Sequence, residues 1–230
     1  MNRMRKAFKA ALPHTVPVFA GYLVLGMAYG FLMHERGCWL LVTFLSSLLI
    51  FAGSLQYVQL DLITKVFEPI SSFVLSLVIN ARHIVYGITM VEPYKKAGWK
   101  KWLLAFWMTD ETFSLHCGVQ TPEDIDDTDF KMAIAILDHL YWIGATCFGN
   151  VLGSMLQFDT TGMDFVLTAL FVTIFVDQWL NSKDHRPALV GLFVPVVCLV
   201  AVPDQYILVS LVLIVVLVLA GRNRMGGSHE

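Results

Sequence analysis

Three stretches of this chain place ionisable or amide side chains inside apolar surroundings, and any chemistry it performs should sit there. The first is Asn80-Ala81-Arg82-His83, in the middle of an apolar run over about residues 69–91. Arg82 is too deep in that run to snorkel to water, and an ionisable group inside a membrane costs several kcal/mol unless it is paired or wet. Its guanidinium could hold a carboxylate by two parallel hydrogen bonds, or form an internal salt bridge that locks two helices. His83 could exchange a proton near neutrality. Tyr86, one helical turn beyond Arg82, belongs to the same candidate set. The second stretch is Thr109-Asp110-Glu111-Thr112, inside an apolar run over about 101–118. Adjacent helical residues point about 100° apart, so one acid can pair with Arg82 and the other needs another partner or a proton. The third feature is Gln56, three residues after Gly53. Its amide offers donors and an acceptor, enough for a zwitterion or for a hydrogen bond between helices. Weaker candidates are Asp138-His139, with Tyr141 and Trp142 close by, and Asp177-Gln178. Each could line a cavity or anchor a helix at the membrane surface.

The elements that must position these groups are membrane segments. The chain has 230 residues, of which 57% are hydrophobic and 15% charged, and its mean hydropathy is +0.65. Soluble domains carry about 25% charged residues. The charges here also cluster between long apolar runs, which is the pattern of an all-α polytopic membrane protein. A crossing needs about 20 residues, and eight apolar segments meet or approach that length: about 15–34, 39–60, 69–91, 101–118, 131–156, 163–181, 187–202 and 205–221. The expected organisation is a cytoplasmic N-terminal stretch over 1–14, one transmembrane domain over 15–221, and a polar tail over 222–230. Arg3, Arg5, Lys6 and Lys9 precede the first run as they would in a signal peptide. However, Pro13, His14 and Pro17 interrupt its start and the run reaches His34, longer than the roughly 7–15 residues of a signal core. Cys38, Cys117, Cys147 and Cys198 lack metal-ligand spacing and read as packing residues. Gly21, Gly26 and Gly30 make a stripe of small residues on the first segment. No basic run points to nucleic acid, and no cofactor motif is present.

Charge in the short loops constrains topology. Lysine and arginine prefer the cytoplasmic side, which places both the N-terminus and the loop carrying Lys95, Lys96, Lys100 and Lys101 there. Three full crossings between them would put them on opposite sides. The expectation is that the second segment, with Gly53 and its small neighbours, breaks and turns back. The sixth, with Ile174-Phe175-Val176-Asp177-Gln178-Trp179, echoes it and would turn back from the other side. The halves 15–118 and 131–221 would then form an inverted repeat with six full crossings, a common transporter plan. The longest loop, 118–131, carries Glu123, Asp124, Asp126, Asp127 and Asp129, and lacks the spaced ligands of a calcium loop.

Read in order, these motifs resemble the AzlC family, the large subunits of bacterial branched-chain amino acid exporters. The matching residues are Gly21, Gly26 and Tyr29-Gly30, then Ser46 and Phe51-Ala52-Gly53-Ser54-Leu55-Gln56. They continue with Asn80-Ala81-Arg82-His83-Ile84-Val85-Tyr86-Gly87 and Thr109-Asp110-Glu111-Thr112-Phe113. The resemblance covers about residues 10–220, with its specificity in the first half. The acidic run Glu123–Asp129, placed by this topology at the external face, departs from it. The resemblance implies a secondary exporter of valine, leucine, isoleucine and sometimes methionine in the inner membrane, acting with a small AzlD-type subunit. No nucleotide-binding motif supports an ATPase partner. Arg82 with Asn80 would take the substrate carboxylate, Asp110 or Glu111 its ammonium, and Phe, Leu and Val its side chain. Proton antiport through His83 and an acid would drive export. A channel would use the same buried groups. A membrane enzyme would need a metal-ligand spacing or a nucleophile motif that the chain does not have.

Overall fold

A computed structural model describes residues 3–64 and 69–155 and, from 165 to 217, part of the chain. Asp177, Gln178, Lys183, Lys65 and the tail 222–230 lie outside the described residues, as does most of the sixth and eighth apolar segments. The described helices are α1 (Arg3–Glu35), α2 (Leu40–Ile50), α3 (Gly53–Thr64), α4 (Pro69–Ile79), α5 (Ala81–Met90), α6 (Lys100–Phe106), α7 (Asp110–Gly118), α8 (Asp127–Met155) and α9 (Arg186–Ala201). No strand occurs among the described residues. Among the described residues two helices, α1 and α8, are each long and apolar enough to cross a membrane, or three spans if α4 and α5 form one. The framework divides into two units, one of Met1–Pro69 with Ile79–Val166 and one of Ile70–Val78 with Leu167–Glu230. In the second unit the Trp179 and His185 rings stack at 4.2 Å, at the start of α9.

The first unit is built inside out, as a membrane demands. On α2, Thr43, Ser46 and Ser47 lie on one face and are buried, while Leu41 and Leu49 on the other are 64% exposed. Helical spacing sorts polar side chains inward and leaves leucine for lipid.

Its scaffold is the α1–α8 pair. The two helices run parallel: Ala7 and Ala11 pack with Phe130, Ala133 and Ile134, Thr15 Oγ1 meets Tyr141 Oη at 3.1 Å, and Gly153 lies beside His34. The small-residue stripe makes the close approach. A methyl on Gly26 would stand 2.6 Å from the Ala145 Cβ, and methyls on Gly30 and Gly149 would overlap the backbones of Thr146 and Met27. Gly21 is different, with open space where its side chain would be. We expect Gly149→Leu to destabilise the fold by about 3 kcal/mol or more, because backbone cannot yield as a flexible side chain does. Thermal unfolding in detergent, followed by size-exclusion chromatography, measures this. Gly21→Ala should unfold like the wild type.

Two further segments break and return. After α2 the chain turns at Phe51, whose φ of 22° is positive, and α3 comes back alongside: Ser46 Oγ donates to Gln59 Oε1 at 3.1 Å and Gln56 Nε2 to Ser47 Oγ at 3.2 Å. This hairpin starts at the C-terminal end of α8, where Asn150 Nδ2 donates to the Cys38 carbonyl at 3.1 Å. The second hairpin, α6–α7, starts and ends at the opposite end. Lys100 Nζ reaches Asp129 Oδ1 at 2.7 Å. His116, near the end of α7, bonds the Lys131 carbonyl at 3.0 Å and the Tyr94 hydroxyl at 2.5 Å.

These observations correct the expected topology. The segment 101–118, which the sequence reading treats as a plain crossing, also turns back, while most of the sixth segment lies outside the described residues. The run 101–118 breaks at Trp107–Met108, because Thr109 caps the following helix by accepting the Thr112 amide. And α1 and α8, the leading helices of the expected halves, run parallel, whereas a repeat inverted in the membrane would set them antiparallel. The first helix also begins at Arg3 and continues through Pro13 and Pro17. The acidic loop, exposed at Asp124 and Asp127, is ion-paired to the N-terminal stretch. Asp129 is reached by Arg3 as well as Lys100, Asp126 by Arg3, Asp124 by Lys6 and Asp127 by Lys131. It therefore lies at the end of the molecule that holds the N-terminus.

Candidate functional site

The two hairpins approach each other from opposite ends and present helix N-termini. An α-helix rises about 1.5 Å per residue, so the 11 residues of α2 and the 9 of α7 reach about 16 and 13 Å inward. Together they span the roughly 30 Å of a hydrocarbon core. The N-termini of α3 and α7 meet there, with that of α5 beginning at the Asn80 break. Free amides and the positive ends of helix dipoles collect at such points.

Arg82, in the first turn of α5, ties these ends together. Its Nη1 pairs with Asp110 Oδ2 of α7, and its Nη2 donates to Ser54 Oγ of α3 at 2.8 Å. Tyr86 Oη donates to the other Asp110 oxygen at 2.7 Å, and its ring stacks on Phe113 at 4.4 Å. Glu111 points elsewhere and accepts from Tyr22 Oη of α1 at 2.9 Å. The pair of acids thus has two separate partners. Asp110 and Glu111 both border an open cavity of about 390 Å³, lined otherwise by Pro17, Gly21, Tyr22, Leu25 and Leu115 among others. Gly21, spared from the helix contact, leaves part of that space.

Gln56 is placed at the same level but is fully committed. Its Nε2 donates to Ser46 and Ser47 at 3.2 Å each, and its Oε1 accepts from Trp142 Nε1 at 2.8 Å. It is fully buried in this conformation. Asn80 forms the N-cap of α5 and offers its carbonyl to His83 Nδ1 at 3.2 Å. His83 lies with Met108, Tyr94, Lys95 and Lys101 on a second cavity of about 420 Å³. It is not brought to Arg82's ion pair. Asp138 is fully buried and accepts from Thr112 Oγ1 at 2.8 Å. His139 bonds the Ser47 carbonyl at 3.1 Å and packs on Phe51 at 4.5 Å.

Tyr22, Ser47 and Thr146 escape the sequence reading, and Ser54 enters it only as part of the Phe51–Gln56 motif, yet each closes a bond in this centre. A signal for Tyr22 exists: with Gly26, Tyr29 and Gly30 it lies on the face of α1 that packs inward. The described residues contain no group of His, Cys, Asp or Glu able to hold a metal ion.

Broken helices that meet at a polar centre, inside a chain with lipid-facing leucines, define a polytopic helical membrane protein with a solute-sized interior. Comparison with known proteins narrows this. The AzlC protein family model matches residues 17–156, and the chain belongs to that family. It is 42% identical over 194 residues to the branched-chain amino acid transport protein AzlC of Bacillus subtilis, covering 84% of this chain and 76% of that one. It is 36% identical to an uncharacterized membrane protein of Helicobacter pylori, over 98% of this chain and 99% of that one. It is also 36% identical to one of Haemophilus influenzae, over 96% and 91%. No solved structure matches.

Proposed function

We propose that this chain is a secondary transporter that exports valine, leucine and isoleucine, and by its family resemblance methionine, across the bacterial inner membrane with a small AzlD-type subunit. The observation that carries the reading is the Arg82–Asp110 pair at the meeting of three helix ends, beside a cavity that holds Glu111. The Asp110 carboxylate occupies the place a substrate carboxylate would take. When an amino acid arrives, its carboxylate exchanges for Asp110 on the guanidinium. Its ammonium faces Glu111, and its branched side chain lies against Val18, Leu25 and Leu115. A cavity of about 390 Å³ is of small-molecule size. Gln56 acts by holding hairpin α2–α3 to α8 rather than by touching substrate. The relative from Bacillus subtilis, named as a branched-chain amino acid transport protein, supports the substrate class.

Topology follows from the same features. If segments 39–60 and 101–118 turn back and the other six cross, Arg3 to Lys9, Lys95 to Lys101, Lys183, Arg186, Arg222 and Arg224 all face one side. The positive-inside rule makes that side the cytoplasm. In this reading a different inverted repeat pairs α2–α3 with α5, and α6–α7 with α8. Tyr86, three residues after His83, donates to Asp110 of the second hairpin. Trp142, three residues after His139, donates to Gln56 of the first. Each repeat then bonds into the other, and alternating access would rock one against the other around the site between them.

The test is efflux from cells loaded with a valine-containing dipeptide, with and without the small partner. Cells expressing the pair should release valine faster than cells lacking it. Equal release with and without this chain would remove the reading.

A further inference from the structure

Four contacts in a row join two carboxyl groups. Tyr22 Oη stands 2.9 Å from Glu111 Oε2 and 2.9 Å from Thr109 Oγ1. Thr109 Oγ1 stands 3.1 Å from Thr112 Oγ1, which stands 2.8 Å from Asp138 Oδ2. Three hydroxyls supply three protons for four links. With both acids ionised, Tyr22 donates to Glu111 and Thr112 to Asp138. The Thr109 hydroxyl then completes only one of its two remaining contacts, and one pair of oxygens faces without a proton between them. A single added proton, on either carboxyl, fills every link.

We propose that Glu111 and Asp138 share one exchangeable proton through the Tyr22, Thr109 and Thr112 hydroxyls, and that this proton is the coupling ion of transport. The second half rests on the transporter reading; the first does not. The transfer is balanced. Asp138 Oδ2 gives its proton to Thr112 Oγ1 as Thr112 passes its own to Thr109, Thr109 to Tyr22, and Tyr22 to Glu111 Oε2. Each hydroxyl oxygen loses one O–H bond and gains one, and the net change is one proton moved from Asp138 to Glu111.

The two ends are unequal. Glu111 opens on the cavity, where it can exchange with water. Asp138 is fully buried, and its Oδ1 makes no hydrogen bond among the described residues. It is the end at which a negative charge is worst solvated. The other ionisable groups nearby are engaged. On α7, Asp110 is held by Arg82 and Tyr86 of α5. His139, beside Asp138 on α8, turns to the Ser47 carbonyl. Facing Asp138 from α1 is Tyr22; α2 carries no ionisable side chain, and Lys100 of α6 sits on Asp129 at the far end of that helix. His83, the sequence-based choice for proton coupling, has no place in this chain of hydroxyls.

The experiment uses the full-length chain, co-expressed with the small subunit and reconstituted in vesicles, with labelled valine as probe. Two assays are compared: exchange of valine for valine at equal pH, and accumulation driven by a pH gradient. Asp138→Asn and Thr112→Val should keep exchange near the wild-type rate and lose gradient-driven accumulation, and Thr112→Ser should regain it. Accumulation by Asp138→Asn equal to wild type would overturn the proposal. If the wild type exchanges no valine, the transporter reading fails and the infrared spectrum decides the proton sharing. The carbonyl stretch of a neutral carboxyl should be present in wild type, lost in Asp138→Asn and displaced in Thr112→Val. Its absence in wild type, or an unmoved band in Thr112→Val, would overturn the shared proton whatever the variants do in transport.

Discussion

Arg82→Ala is expected to lower valine transport about 100-fold. Removing one partner of a desolvated pair costs about 3–5 kcal/mol, and each 1.4 kcal/mol is tenfold in affinity. The lower end of that range applies, because the Arg82 and Asp110 side chains retain 28% and 33% exposure. Arg82→Lys should recover little, since an ammonium cannot present the planar fork that reaches Asp110 and Ser54 together. Asp110→Asn should act in the opposite sense on binding. With its internal competitor gone, the guanidinium is free for substrate, so valine binds more tightly while turnover falls. Fluorescence-detected size exclusion controls for folding, and Arg82→Ala with Asp110→Ala removes the stranded charge. If the double variant folds like the wild type and transports no better than Arg82→Ala, the loss belongs to the site. If a lone structural salt bridge were the whole role, the double variant would recover transport.

The second large effect is a lock. The Ser47 and Thr146 hydroxyls lie 2.8 Å apart, joining hairpin α2–α3 to α8. In a background with the four native cysteines replaced, Ser47→Cys with Thr146→Cys should cross-link on oxidation. The α1–α8 pair is a rigid platform of close glycine contacts, whereas the hairpin is fastened mainly by exchangeable hydrogen bonds from Trp142, Thr146 and His139. Alternating access needs the hairpin to move on that platform. Transport should therefore stop when the cross-link forms and return on reduction. Undiminished transport in the oxidised protein would place the moving element elsewhere.

Much of the centre is legible in residue types. Buried charge in an apolar run is costly, so Arg82, Asp110 and Glu111 stand out, and the structure places Arg82 and Asp110 in one ion pair. Gly53 marks the first break to within two residues of Phe51. The second break carries no Gly or Pro, so the run 101–118 passes for a crossing. Its signal is of another kind: a Thr followed by two acids is how a helix begins, with a capping hydroxyl and carboxylates at the positive end of the dipole. Lysine parity rightly puts the N-terminus and Lys100 at one end, where both meet Asp129. The turn expected in the sixth segment rests on its echo of the second, Phe175 and Gln178-Trp179 against Phe51 and Gln56-Tyr57, and most of that segment lies outside the described residues. Partners such as Tyr22 and Ser54 are unremarkable in sequence. Only helices broken and folded back on one another bring them to Glu111 and Arg82.

The central claim is that a branched-chain amino acid displaces Asp110 from Arg82, and a structure of the protein with leucine bound tests it most directly. The expected result is the leucine carboxylate on the Arg82 guanidinium, its ammonium toward Glu111, and Asp110 released from the pair. Leucine bound elsewhere, with the Arg82–Asp110 pair intact, would contradict it.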